Sequence, residues 1–246
     1  MIARFSSGLL VALVLLGFWQ ALVTVAGLPP FILPGPLRVA TALADNAALI
    51  AWHASVTFTE VLAGLALGSV LGAATALHMA VSPLARRFLR PVLVLTQALP
   101  VFALAPILTL WLGYGIGSKI LMAVLIIYFP VASAFFDGLR GTPRGWLDLA
   151  HSMQGTRRQV LWRIRVPAAL PSLASGLRLA AVYAPIGAII GEWVGASQGL
   201  GYLMLLANGR AKIDLMFAAL AVLALLTLLL HRAVGAGCDR LTARLS

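Results

Sequence analysis

Long apolar stretches separated by short polar ones run the length of the chain. A bilayer helix needs about 20 mostly apolar residues at ~1.5 Å rise per residue. Six segments meet or approach that length: 8–26, 54–79, 92–112, 120–136, 172–191 and 215–231. Glycine and proline recur inside them, which helices in lipid tolerate better than helices in water. The pattern predicts an all-α membrane protein, a single domain over residues 1–246 with six transmembrane helices. The first run, with Arg4 ahead of it, also has the shape of a signal peptide. The apolar runs behind it favour an uncleaved first span.

The longest polar stretch, 137–170, does not read as a plain linker. Thr142 before Pro143 has the pattern of an N-cap with proline at the first helical position, and Trp146, Leu149, Ala150 and Met153 then share one face. Gly155 interrupts. Thr156 to Gln159 fits a capping box that starts a second helix with Val160, Leu161 and Ile164 apolar, until Pro167 restricts its continuation. The two form a helical hairpin at the membrane surface, which either lies in the lipid interface or seats in a groove on a partner. Elsewhere, Gly64, Gly68 and Gly72 put three missing side chains on one face of the second span, a seam for close helix contact. Glu60, near the end of that span, is read as structural. Gly195, Gly199 and Gly201 make the segment after Glu192 a compact loop or re-entrant turn.

Composition narrows the function. With 61% hydrophobic and 10% charged residues, the chain belongs in a bilayer. Its net charge of +11 does not point to nucleic acid, because the basic residues sit between the apolar runs. Placing the N-terminus inside puts fourteen of the eighteen Lys and Arg residues, Arg4 and Arg244 included, on the cytoplasmic side and leaves Arg38, Lys119, Arg210 and Lys212 outside. The positive-inside rule therefore predicts a multi-pass protein of the bacterial inner membrane with both termini and the 137–170 hairpin in the cytoplasm. The lone Cys238 allows no intrachain disulfide, and His53, His78, His151 and His231 have neither metal-ligand spacing nor a convergent carboxylate pair. No catalytic residue, metal or cofactor is expected. Gly113 to Lys119 has the glycines of a phosphate loop but not its spacing, so the chain holds no nucleotide site of its own.

The fifth span is bounded by Arg178 and Glu192, fourteen residues or ~21 Å apart along a helix, less than the ~30 Å hydrocarbon core. Ionisable residues at such depth are functional candidates, and a proline inside a span frees a backbone carbonyl. Tyr183, Pro185 and Glu192 are the candidates for lining a translocation path.

Asp148-Leu149-Ala150, then Gln154-Gly155, then Ile164-Arg165-Val166-Pro167 resembles the EAA loop of permeases in binding-protein-dependent ABC importers. That pattern is E-A-A, a glycine four residues after the second alanine, and I-x-L-P after nine more. Here Asp148 replaces Glu, Leu149 replaces Ala, Gln154 takes the glycine position with Gly155 beside it, and Val166 replaces Leu. The likeness extends from Phe31-Ile32-Leu33-Pro34 through Ala105-Pro106 to Gly191-Glu192. It implies the type I ABC importer permease fold, with 137–170 as a cytoplasmic coupling-helix hairpin that docks on separate cytoplasmic ABC ATPase subunits. It also implies a periplasmic solute-binding protein and a second permease subunit, expected to be an identical copy. Asp148, Ala150, Gly155 and Pro167 would shape the ATPase contact; His151, Ser152 and Arg157 join them as exposed polar neighbours.

Gly191 to Tyr202 and Asp214 to Ala219 are similar to permeases for nitrate, sulfonates, taurine, riboflavin and the pyrimidine precursor of thiamine, nearest to the hydroxymethylpyrimidine type. The competing class is an ion-coupled secondary transporter, which would show repeated halves with paired charges or broken helices near the midplane. No internal repeat is evident.

Overall fold

The computed structural model describes residues 2–243; Met1 and residues 244–246, Arg244 among them, lie outside the described residues, as does the side chain of Arg4. The described residues form helices joined by turns and short irregular segments: α1 (Ile2–Val25), α2 (Pro36–Asp45), α3 (Ala47–Val81), α4 (Pro83–Ala98), α5 (Val101–Leu112), α6 (Ile116–Arg140), α7 (Arg144–Ser152), α8 (Arg157–Val160), α9 (Val166–Gly195), α10 (Leu200–Gly209) and α11 (Ile213–Ala243). A π-helical turn, Leu161–Arg165, joins α8 to α9. Four helical stretches are long and apolar enough to cross a membrane: Ala47–Val81, Ile116–Arg140, Arg157–Gly195 and Ile213–Ala243. The α4–α5 pair makes a fifth if it counts as one span. The expected first span falls in α1, whose described apolar part, Leu13–Val25, is shorter.

Helix α6 is the centre of the bundle, packed between α3 and α9. Small residues allow it. A Cβ on Gly64 would lie 2.5 Å from the Ala123 Cβ, and one on Gly187 would lie 2.5 Å from the Ala123 backbone on the other side. Without those side chains the helices approach closely enough for main chain to pack on main chain, which is how helices associate in lipid where the hydrophobic effect is absent. Val61, Leu65, Ile127, Val131, Ala180 and Ala184 continue that core. A second cluster, Ala76, Met79, Leu93, Phe135, Phe136 and Leu139, closes the end nearest α7. A third, around Ile50, Leu200, Leu203 and Ala218, closes the opposite end.

Three local expectations differ from the structure. The expected span 92–112 is not one helix. It breaks between Ala98 and Val101 with a bend of 101°, because Leu99, preceding Pro100, is pushed to an extended conformation and Pro100 has no N–H to continue the ladder. Thr142 does not cap α7. Its hydroxyl turns back to donate to Leu139 O in α6 at 3.3 Å, and Pro143 takes the N-cap position. Nor does Pro167 end the hairpin's second arm. The π turn carries the chain into α9, where Pro167 sits in the opening turn and its missing N–H is tolerated.

Candidate functional site

The surface hairpin is held by two local motifs. At the end of α7, Gly155 N–H donates to Ala150 O and Gln154 N–H to His151 O, both at 2.9 Å, the Schellman pattern, with Gln154 left-handed at φ 57°. The family-like glycine position is thus a site where the backbone favours glycine and this chain has Gln. A Cβ on Gly155 would stand 2.9 Å from Ala150 O, so position 155 itself favours glycine. At the start of α8, Thr156 and Gln159 form the expected capping box: Gln159 N–H donates to Thr156 Oγ1 at 3.3 Å, and Thr156 N–H donates to Gln159 Oε1 at 2.9 Å.

This scaffold leaves an apolar face uncovered. Trp146, Leu149 and Met153 of α7 are all more than half exposed. With Ile164, Pro167 and Pro171 they wall a groove of about 600 Å³. Ala150 is buried beneath them. On the other side of the hairpin His151, Arg157, Arg158, Trp162 and Arg165 surround a second groove, also about 600 Å³, that reaches Ala80 and Val81 at the end of α3. Asp148 and Ser152 are exposed, the Ser152 hydroxyl donating to Asp148 O at 3.0 Å. The structure therefore places Asp148, Ala150, His151, Ser152, Gly155 and Arg157 on the α7–α8 hairpin, with Pro167 beside it in the opening turn of α9.

Tyr183, Pro185 and Glu192 are not gathered. They are spread along α9, with Tyr183 exposed, Pro185 buried and Glu192 at the far end of the bundle, 1% exposed. There Glu192 belongs to a network for which sequence reasoning held only isolated pieces. His53, Thr57 and Glu60 lie on one face of α3, at spacings of four and three residues. Thr57 Oγ1 donates to Glu192 Oε1 at 2.6 Å. Three successive main-chain N–H groups at the start of α10 are then taken by side chains: Gly199 by His53 Nδ1 at 3.0 Å, Leu200 by Thr57 Oγ1 at 2.7 Å and Gly201 by Glu192 Oε2 at 2.5 Å. These are the donors that a helix N-terminus leaves free. Gly199 has φ 106°, and a Cβ there would collide with the Glu192 carboxylate.

Behind this cap, Glu60 pairs with Lys119 at 3.6 Å and also interacts with Glu192. Glu60 is 1% and Lys119 6% exposed, so neither charge has water to fall back on. The apparent outer-loop lysine is a buried partner. The signal available in sequence was the ionisable residue inside a span, at Glu60, and the i, i+4, i+7 face that carries it. The network orders α10 against α3 and α9; it contains no exposed nucleophile and no open position for a reacting group.

A family model described as the binding-protein-dependent transport system inner membrane component matches residues 64–237. The chain is similar to a probable ABC transporter permease protein of Haemophilus influenzae, 50% identical with 93% of each chain covered. It is also similar to the formylaminopyrimidine transport permease protein ThiX of Halalkalibacterium halodurans, 40% identical over 77% of this chain and 76% of that one. Among solved structures, an inward-facing MetNI methionine ABC transporter chain superposes with a TM-score of 0.59, covering 87% of this chain and 99% of that one at 19% identity.

Proposed function

This chain belongs to the family of binding-protein-dependent transport system inner membrane components, and we propose that its α7–α8 hairpin is where a separate cytoplasmic ATPase drives it. It is the permease subunit of an ABC importer, a transport component and not an enzyme. The observation that carries the coupling reading is the uncovered face of Trp146, Leu149 and Met153 on an element whose own backbone is fully organised. A helix with its apolar side open and its ends fixed is suited to insertion into a partner's groove. Asp148, His151, Ser152 and Arg157 would form the polar rim, while Ala150, Gly155 and Pro167 set the shape. This reading puts the hairpin and both termini in the cytoplasm, in keeping with the positive-inside count.

The path would run between this chain and a second, identical copy, with Tyr183 open to it. Pro185 and Glu192 act from behind, Glu192 by holding α10. The solute would be a small heteroaromatic pyrimidine handed over by a periplasmic binding protein. The name of the Halalkalibacterium relative supports that class.

Uptake and ATPase pull-down by charged hairpin variants test the coupling. Met153→Asp places an unpaired charge in the contact at an exposed position. Burial of such a charge costs several kcal/mol, at 1.4 kcal/mol per decade a loss of association of more than about a hundredfold. Ala150→Glu should do the same but also strikes the buried side of α7, and Gly155→Pro removes the Gly155 N–H that closes the Schellman turn. Insertion should survive, since the spans supply the apolar length. If all three insert, bind the ATPase and transport at the wild-type rate, the hairpin is only an interfacial anchor. Ligand screening of the partner binding protein tests the solute: tight binding of taurine, an alkyl sulfonate or nitrate with no response to pyrimidines would overturn the pyrimidine.

A further inference from the structure

The α4–α5 break leaves main-chain polar groups without helical partners on an open face. Hydrogen bonding in α4 stops with Leu99 N–H donating to Leu95 O and resumes with Ala103 N–H donating to Pro100 O. Pro100 has no N–H for Thr96 O, and Pro106 has none for Phe102 O. The carbonyls of Gln97 and Ala98 and the N–H groups of Val101 and Phe102 lie outside either ladder. Gln97, Ala98, Leu99 and Pro100 are all exposed.

The break lies between the two ends of the bundle. Six residues before Leu99, Leu93 packs into the cluster of Met79, Phe135 and Phe136 at the hairpin end. Nine residues after Pro100, Thr109 is buried beside Gly195, where a Cβ on that glycine would lie 2.7 Å from its methyl group, at the end that carries the Glu192 network. Lipid offers no hydrogen bonds, so irregular backbone at this depth is stable only when protein buries it or water reaches it. This chain does not bury it. Gln97 adds a second, independent sign. Its amide brings two donors and an acceptor to the same open face, whereas the neighbouring Thr96 hydroxyl is already spent on Leu93 O at 2.7 Å. Charge is absent: from Pro91 to Ser118 the chain has no Asp, Glu, Lys, Arg or His. Backbone groups and one amide suit a neutral ring with donors and acceptors, whereas a sulfonate or nitrate would call for a cation.

We propose that the α4–α5 break, with Gln97 at its edge, faces the aqueous solute path and hydrogen-bonds the transported solute, a small uncharged polar ring carrying both donors and acceptors. This rests on the permease reading above and deepens it.

The test uses single-cysteine permease in membranes with its ATPase, with Cys238→Ala removing the native thiol. Gln97→Cys is compared with Val70→Cys, an exposed apolar position within α3. The thiolate, which forms in water and not in hydrocarbon, attacks a membrane-impermeant methanethiosulfonate reagent to form a mixed disulfide and release methanesulfinate, so Gln97→Cys should be modified on the order of tenfold faster. Gln97→Leu should raise the KM for pyrimidine uptake by about tenfold, one lost hydrogen bond, with Gln97→Asn restoring part of the loss. Labelling no faster than at Val70→Cys means lipid or the second copy covers the break, and overturns the inference while leaving the permease assignment intact. Unchanged uptake kinetics in Gln97→Leu overturns it as well. Fast labelling together with wild-type transport by the hairpin variants would sink the coupling reading and support this one, since labelling needs neither solute nor coupling.

Discussion

At one end of the bundle Glu60, Lys119 and Glu192 are buried almost completely, and the polar groups of the α10 start are each matched by a side chain. At the other end Trp146, Leu149 and Met153, residues that a folded chain ordinarily buries, stand open on α7. The two regions invert the usual rule in opposite directions. The buried charges find their partners within the chain, with Glu60 Oε2 alone among their carboxylate oxygens lacking a hydrogen bond. The open apolar face is incomplete, and only a partner or lipid can finish it. Mutations at the first should therefore cost stability, and mutations at the second should cost coupling while sparing the fold.

The largest effect is expected from Lys119→Met, which strands the Glu60 carboxylate in a dry site and should destabilise the permease by about 3–5 kcal/mol. Replacing both partners, Lys119→Met with Glu60→Met, should recover most of that, because two apolar side chains leave no uncompensated charge. Thermal unfolding in detergent, followed by loss of the monodisperse species, reads both. Equal instability of the single and double variants would mean that the pair does more than neutralise itself.

Gly199→Ala comes next. The backbone at φ 106°, ψ 161° is accessible essentially to glycine alone, and the added methyl meets the Glu192 carboxylate. A loss of about 1–3 kcal/mol is expected from the backbone, before the clash is counted. Protease sensitivity around α10 should rise with it, and a wild-type digestion pattern would argue against the cap.

Smaller and of opposite sign, Gln154→Gly should stabilise the hairpin by about 1 kcal/mol, since it removes a left-handed non-glycine residue from the Schellman turn. Hydrogen exchange of the Gly155 amide measures it; faster exchange in the variant contradicts the turn assignment. Smallest of all, Met153→Ser should shift unfolding of the isolated permease by no more than about 0.5 kcal/mol, as expected for an exposed position. The same variant should still weaken ATPase recovery in a pull-down. A large stability loss would show that the face is covered within the permease itself.

Some of this was legible from sequence because it depends on near neighbours. The Thr156–Gln159 capping box, the apolar face of α7, the glycine seam at Gly64, Gly68 and Gly72 and the helical character of the spans are set by residues three or four apart. Periodicity and composition contain that information directly. The exact number of crossings was less legible. A run such as 92–112 shows apolar length but not that Leu99–Pro100 turns it by 101°.

What the sequence by itself determined is the class: an all-α bilayer chain whose polar hairpin carries the capping box that starts its second arm, because hydrophobic length and local caps act within a few residues of chain. Tertiary structure alone decided which charges are partners. Glu60 and Lys119 are far apart in sequence, and Thr57 meets Glu192 across 135 residues; only the close approach of α3, α6 and α9 on small side chains brings them together. It also decided that the three path candidates on α9 part company, since burial of Glu192 and exposure of Tyr183 follow from what the other helices cover. Pairing at long sequence separation is a consequence of packing, and a single sequence carries no periodicity that encodes it.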